Sequence, residues 1–340
     1  MSAACAMRQG PGRRRATATR PADADGGAGQ SGVALITVLL VVALATVAAV
    51  HMTRQTQLDL HRTGNRLALV QAHEIALGGE HWAVSVLARV RRAEDYDGVD
   101  ARDQMWAQLP PPMQVEGGYV TGAIQDMQGR FNVNSLVPSG DSIDALALER
   151  FERLLETLGI DPRVSQAVTD WMDDNRETTY PAGGEDDYYL TLDPPYLAAN
   201  RALTTASELR LLRGIDADAW RRLAPHVSAL PGPTAINVNT ATPAVLQAIV
   251  PGLARSGAET LAAETREEPF DSVAAFLEHP LVARPDSGQE VESAGLGVGS
   301  SHFRVRIDVR TGSLDYTLYS WLQREADGAS RVLRRSRTGG

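Results

Sequence analysis

Eighteen consecutive residues without a charge, Val33 to Val50, set the first constraint on this chain. At about 1.5 Å per helical residue they span roughly 27 Å, enough for the hydrocarbon core of a bilayer. Arg8, Arg13, Arg14, Arg15 and Arg20 precede the run and hold its N-terminal side in the cytoplasm. A secretory signal peptide has a shorter apolar region followed by a small-residue cleavage site. Here the one such triplet, Ala43 to Ala45, lies inside the run. The residues that follow favour an anchor that is kept. No proline occurs from His51 to Arg92, and Leu60, Leu67, Val70, Leu77, Val84 and Leu87 recur at helical spacing. One rod of about 60 residues is expected. Its weak points are Gly64, Gly78 and Gly79, each costing up to about 1 kcal/mol against alanine.

Charge divides the chain at the same place. Residues 1–32 carry five arginines against Asp23 and Asp25, a net +3; the whole chain carries −9, so the remainder carries −12. A body that acidic repels phosphate backbones and suits a cation or a basic partner. The single cysteine, Cys5, lies in the basic leader. A body outside the cytoplasm then folds without disulfides, which makes a metal a plausible staple.

Past the rod, "DGVDARDQMWAQLPPPMQVEGG" (Asp97 to Gly118) breaks the helical pattern. Strand-like sequence follows from Gly118 to Leu136, with a turn expected at Gln128-Gly129. From Asp141 to about Leu281 the pattern is short amphipathic helices, one of them capped by Thr205 with Glu208 three residues on. Alternation returns in "HFRVRIDVRTGSLDYTLYSWLQRE": Phe303, Val305, Ile307 and Val309 share one face, and Thr311-Gly312 makes a hairpin turn. Two short strands are marginal alone, so the helical block reads as an insertion between strands that pair with each other. The expected fold class is α+β. A pilin-like long N-terminal helix packs on a small antiparallel sheet, and a large all-α domain of SAM-like or helix–hairpin–helix-like type is inserted between the strands. The expected boundaries are a leader at 1–32, a transmembrane half-helix at 33–52 and a periplasmic half-helix at 53–96. Sheet segments at 117–137 and 300–325 flank the insert at 139–285, and a flexible tail covers 326–340.

Three motifs stand together: "DMQGRFNVNSL" (Asp126 to Leu136), "DWMDDNRETTYPAGGEDDYYLTLDPPYLAANRALTTASELRLLRGI" (Asp170 to Ile215) and "INVNTATPAVL" (Ile236 to Leu246). With Gly32-Val33 placed between a basic leader and an apolar helix, they resemble the type II secretion system protein K family of minor pseudopilins, from about Gly32 to Leu322. The resemblance implies a non-enzymatic, single-pass inner-membrane protein with its N-terminus cytoplasmic and its body periplasmic. A prepilin peptidase would cut between Gly32 and Val33 and leave the apolar segment in place. The implied partners are minor pseudopilins I and J and the inner-membrane secretion platform, and the implied role is to cap the pseudopilus tip and start its assembly. Most pilins and pseudopilins carry glutamate at the fifth mature position; counted from Val33, that position is Thr37. An unpaired carboxylate in hydrocarbon costs several kcal/mol, of order 3. A subunit with nothing stacked above it has no partner for one, so Thr37 points to a tip position.

The second motif holds Asp170, Asp173, Asp174, Glu177, Glu185, Asp186, Asp187 and Asp193 within one loop, where Gly183-Gly184 lets the backbone fold back. Hard oxygen donors in a flexible loop suit calcium. From composition alone a solvated acidic loop explains them equally. The resemblance implies structural calcium, with Asp173, Asp174, Glu185, Asp186 and Asp187 as the ligand pool. Tyr188, Tyr189 and Tyr196 are expected to pack under the loop.

Enzyme chemistry has little support. No nucleophile–base pair accompanies the carboxylates, and His51, His61, His73, His81, His226, His279 and His302 are scattered. Residues 236–281 also resemble a helix–hairpin–helix module, which would make the chain a membrane-anchored DNA receptor. The hairpin Pro251-Gly252-Leu253-Ala254 lacks the second glycine, and Glu259, Glu264, Glu267 and Glu268 surround it. That surface repels phosphate, so no nucleic-acid partner is expected. A tip minor pilin of a type IV pilus is the remaining alternative.

Overall fold

The computed structural model describes residues 30–94, 96–283 and 288–339. The chain divides into two compact units, Met1–Asn65 and Arg66–Gly340.

In the first unit every described residue is helical and belongs to α1 (Gln30–Arg91). All side chains from Gly32 to Asn65 are exposed, and this helix is long and apolar enough to cross a membrane. Its hydroxyls are satisfied locally: Thr37 Oγ1 donates to the Ala34 carbonyl at 2.9 Å and Thr46 Oγ1 to the Val42 carbonyl at 2.7 Å. Back-bonding of this kind lets threonine sit in an apolar helix without an outside partner.

In the second unit the C-terminal part of α1 buries Ala72, Ala76, Ala83, Val86 and Leu87 against a five-stranded sheet. The strands are β1 (Met113–Val115), β2 (Gly118–Asp126) and, from the far end of the chain, β7 (His302–Thr311), β8 (Leu314–Arg324) and β9 (Ser330–Ser336). They lie in the order β1-β2-β7-β8-β9, every neighbour antiparallel. Phe303, Val305, Ile307 and Val309 face the helix as the alternation requires. Gly79 is a point of close approach: a Cβ there would lie 2.9 Å from Ile307 Cδ1. The helix therefore needs the residue that propensity alone counts against it.

Three expected boundaries are corrected. The flexible tail expected at 326–340 is instead a strand over Ser330–Ser336, where β9 completes the sheet beside β8. A charged strand is held there by its backbone ladder and by Arg335, whose guanidinium meets the buried Glu80 carboxylate at 2.7 Å. The segment 117–137 does not stay in the sheet. β2 ends at Asp126, and after the turn at Gln128-Gly129 the strand β3 (Phe131–Asn132) pairs in parallel with β4 (Val227–Ser228). The insert is accordingly wider than 139–285, with an apolar core that runs from Phe131 to Leu296.

That insert repeats one arrangement twice. The first copy runs through β3, α2 (Ala145–Thr157), α3 (Val164–Met172), α4 (Asp186–Tyr189), a 3₁₀ turn (Ala206–Leu211), α5 (Ala217–Leu223) and β4. The second runs through β5 (Ile236–Asn237), α6 (Pro243–Ile249), α7 (Arg255–Glu264), α8 (Val273–Glu278), α9 (Pro280–Ala283) and β6 (Leu296–Gly297). Each opens on a strand in Phe/Ile-Asn-Val-Asn, and each closes on a strand parallel to the first. Each contains a helical hairpin turned by a glycine in the left-handed region, Gly159 (φ +65°) and Gly252 (φ +76°). The copies pack together through α2 and α6.

Candidate functional site

The bond between Gly32 and Val33 lies in the first turns of α1, with Thr37 one turn beyond. Most of the basic leader, residues 1–29, lies outside the described residues.

The first and third motifs join the insert to the sheet. Asp126, at the end of β2, is buried, and its Oδ2 accepts from Asn237 Nδ2 at 3.0 Å, Ser300 Oγ at 2.6 Å and the Thr240 hydroxyl. Its Oδ1 accepts from the Gln128 N–H at 2.8 Å. Burial lifts this carboxyl above the usual carboxylate range despite those donors. Beside it Arg324 and Asp100 form a fully buried ion pair, and Asn237 Nδ2 also donates to the Asp100 carbonyl at 2.9 Å. Removing one partner of such a network leaves a desolvated polar group behind.

The second asparagine of each copy holds a distant loop by mimicking a strand. Asn134 donates to the Leu203 and Leu230 carbonyls at 2.9 Å and accepts from the Leu203 N–H at 2.8 Å. Asn239 donates to the Phe270 carbonyl at 2.9 Å and accepts from the Phe270 N–H at 2.8 Å. In both copies the residue two positions further on, Thr205 or Ser272, caps the next helical turn.

The acidic loop fills the place where the copies differ. Residues 173–202 separate α3 from Leu203, whereas only 265–269 separate α7 from Phe270. Asp170, Asp173 and Glu185 are each less than 5 % exposed. Asp170 Oδ2 accepts from the Thr179 N–H at 2.9 Å, while among the described residues Asp170 Oδ1, Asp173 Oδ1 and both Glu185 carboxylate oxygens have no donor. Gly183 lets the main chain reach them, since a Cβ there would lie 2.2 Å from Asp170 Oδ2. Burial, then the negative charge of Asp170 and Asp141, pushes Asp173 up to about 6. Burial, then Asp170, Asp173 and Asp186, pushes Glu185 up to about 7. Asn200 Oδ1 is a further buried acceptor without a donor.

Of the ligand pool read from the sequence, Asp173 and Glu185 are therefore inside. Asp186 is half-buried and accepts from the Ala198 N–H at 3.0 Å. Asp174 and Asp187 are exposed. Sequence reasoning left Asp170 and Asn200 out of the pool. A signal for Asp170 was its place on the buried stripe of α3 beside Trp171; nothing in the sequence marks Asn200. Among the described residues no three His, Cys, Asp or Glu side chains stand ready as a metal cage. The donor set nonetheless fits a hard cation: among the described residues no guanidinium is ion-paired to these carboxylates, Arg213 being held by the Gly183 carbonyl at 2.7 Å, and hard oxygens without a donor are what calcium coordinates. Below the loop, Tyr189 stacks on Tyr196 with centroids 5.3 Å apart and meets Trp171 edge-on at 5.1 Å.

Arg255, the basic residue opening α7, is engaged by Glu259 at 2.9 Å, and Gln247 Nε2 donates to the Leu253 carbonyl at 3.0 Å.

Comparison with known proteins agrees with this architecture. Two family models, both described as type II secretion system protein K, match residues 129–232 and 236–299, the two copies of the insert. Type II secretion system protein K of Pseudomonas aeruginosa is 38 % identical over 318 residues, covering 90 % of this chain and 92 % of the relative. That of Klebsiella pneumoniae is 35 % identical over 323 residues, covering 90 % and 96 %. A chain from the GspK–GspI–GspJ complex of the enterotoxigenic Escherichia coli type 2 secretion system superposes with a TM-score of 0.71 at 26 % identity, covering 82 % of this chain and 100 % of that one. The chain belongs to the type II secretion system protein K family.

Proposed function

We propose that this chain is the apical minor pseudopilin of a type II secretion pseudopilus. It sits in the inner membrane through residues 33–52, N-terminus inward, after a prepilin peptidase cuts between Gly32 and Val33. It joins minor pseudopilins I and J at the tip, nucleates the fibre on the inner-membrane platform, and does no catalysis. The observation that carries the reading is Thr37: its hydroxyl is satisfied by its own helix at 2.9 Å. Nothing at this position calls for a subunit above. The solved relative belongs to a complex with GspI and GspJ, which supports the choice of partners.

The acidic loop would hold structural calcium through Asp170, Asp173 and Glu185, with Asn200 and Asp186 as candidates to complete the shell. Calcium would balance buried negative charge and tie the long loop to α3, replacing the disulfide this body lacks.

The test is co-expression of the full chain with pseudopilins I and J in the native host, with a photo-cross-linker placed at residue 37. The expected result is co-purification of all three and cross-links only to helices beside or below. A pseudopilin helix cross-linked above residue 37 in an assembled fibre would overturn the apical role. Gly32→Val is expected to retain the leader; N-terminal sequencing that shows a start at Val33 in that variant would overturn the cleavage site.

A further inference from the structure

A second pocket, remote from the acidic loop in its chemistry, lies within Arg66–Gly340 where the outer face of the sheet meets the first copy of the insert. It encloses about 320 Å³. Arg130, Arg304, Arg334, Trp220, Trp321 and the buried Ser228 line it.

The arginines are the anomaly. Elsewhere on the same sheet Arg306 pairs with Asp308 at 2.9 Å, Arg310 with Asp315 and Arg335 with Glu80, while the exposed Arg331 donates to Gln323 Oε1 at 2.7 Å. Among the described residues Arg130, Arg304 and Arg334 have no carboxylate at ion-pair distance. Arg130 reaches only the Ala224 carbonyl, at 3.3 Å. Arg304 donates to Gln125 Oε1 at 2.6 Å and to the Gly339 carbonyl at 2.9 Å, while its Nε is buried without an acceptor. Arg334 lies over the Trp321 ring, 3.8 Å from its centroid. The carboxylate whose charge reaches Arg334 is Glu208, and that group already binds the Thr204 and Thr205 N–H groups and Arg201. Burial, with the charge of Arg304 added, pushes Arg130 down to about 10. Three half-buried guanidiniums line one pocket, none of them ion-paired to a carboxylate among the described residues, in a body whose overall charge is negative. A partly desolvated cationic cluster of this kind is stabilised by an anion.

A second observation is independent of charge. Ser228 is 1 % exposed, and its hydroxyl has no partner among the described residues. A buried hydroxyl on the pocket lining supplies a donor for an acceptor that enters.

We propose that this pocket binds a carboxylate-bearing, extended segment of a partner protein, with Arg130, Arg304 and Arg334 taking the acidic side chain and Ser228 a further oxygen. A peptide is favoured over a phosphate or lipid headgroup because Arg304 already holds a main-chain carbonyl at the rim, that of Gly339. The tryptophan walls match the aliphatic stem of a glutamate. Planar guanidiniums pair with carboxylates bidentately, which gives such a site its selectivity. This site goes beyond the apical and calcium readings and depends on neither.

The experiment titrates the full-length chain in detergent micelles with a fluorescently labelled polyglutamate peptide, its polyglutamine counterpart, inorganic phosphate, and vesicles containing phosphatidylglycerol. Saturable binding of polyglutamate, with none of polyglutamine, is expected. Arg304→Gln and Arg334→Gln should each weaken it about tenfold, the loss of one charge-assisted contact. Ser228→Ala removes no folded-state hydrogen bond and serves where an arginine variant fails to fold; it should weaken binding by a smaller factor. Arg306→Gln and Arg310→Gln should leave it unchanged. Equal loss in all four arginine variants would mean diffuse attraction and overturn the pocket. Equal binding of polyglutamine, or binding of phosphate or vesicles alone, would overturn the carboxylate assignment.

Discussion

The two copies of the insert solve the same folding problem, and among the described residues only the first buries carboxylates. Both open on a short strand whose first asparagine takes the N–H of the second: Asn134 to Asn132 Oδ1 at 3.2 Å, Asn239 to Asn237 Oδ1 at 3.0 Å. Both then use that second asparagine to hold a loop by its N–H and carbonyl. The second copy makes the connection with residues 265–269. The first spends residues 173–202 on it and fills them with carboxylates that bury oxygens without donors. The scaffold therefore does not need the acidic loop in order to close, and an element the scaffold can omit is where a separate purpose belongs.

The sharpest way to break this comparison is to remove the shared clamp. Asn134→Ala strips donors or acceptors from two Leu203 groups and from the Leu230 carbonyl; Asn239→Ala strips two Phe270 groups. Each abandoned buried polar group costs about 1–3 kcal/mol, so losses of about 3–5 kcal/mol are expected in both. Asn134→Ala should be the worse by about 1 kcal/mol, having the extra partner. Thermal or urea unfolding of the two variants measures this. A near-neutral Asn239→Ala would show that the second copy closes some other way and that the likeness is only of outline.

How much of this was legible depends on which physical signal carried it. The rod and the β7–β8 hairpin rest on periodicity, and a period can be read from one chain: the apolar run and Phe303-x-Val305-x-Ile307-x-Val309 fell where expected. β9 was missed because "SRVLRRS" is charged. Its place depends on a ladder to β8 and on Glu80 more than 250 positions away, as Arg335 shows. Residues 131–132 were assigned to the wrong sheet for a related reason, since a two-residue strand pairs according to tertiary context. The repetition of Phe-Asn-Val-Asn and Ile-Asn-Val-Asn was visible in the letters, but its meaning needed the matching loops. At the acidic loop composition picked out the right segment. Burial then separated Asp173 and Glu185 from the exposed Asp174 and Asp187, and burial is not written in a run of like residues.

The comparison sharpens again when calcium is added or removed. If only the first copy binds it, saturating calcium at about a hundred times its dissociation constant should stabilise the chain by about 2.7 kcal/mol, and Glu185→Gln with Asp173→Asn should abolish the increment. The pH dependence follows from the raised carboxyls. In chelator, the folded state holds protons more tightly than the unfolded chain, from the ordinary values of 3.8 and 4.5 up to about 6 for Asp173 and about 7 for Glu185. Stability from these groups is present at low pH and is lost as pH rises toward 7, flattening above it. Calcium requires the ionised forms, so its increment should be largest above pH 7 and shrink toward pH 5. Melting curves across that range, with calcium and with chelator, give both slopes. A calcium-independent melting temperature at pH 7.5 would leave the loop as an unexplained burden on the first copy.

The smallest expected effect tests the two hairpins. Gly159 and Gly252 both hold positive φ, so alanine at either should cost about 1 kcal/mol, the penalty of a Cβ in the left-handed region. Asparagine tolerates that region and should cost only a few tenths of a kcal/mol. The copies should differ slightly, because a Cβ on Gly159 meets Arg222 Nη1 at 3.1 Å. That guanidinium donates to the Leu158 and Gly159 carbonyls at 2.6 and 2.7 Å and would have to shift on its long exposed stem. Gly159→Ala should therefore lower the melting temperature marginally more than Gly252→Ala, and Arg222→Ala in the Gly159→Ala background should remove the difference. If the gap persists without Arg222, the first hairpin carries backbone strain that the second does not, and the two turns are alike only in their φ angles.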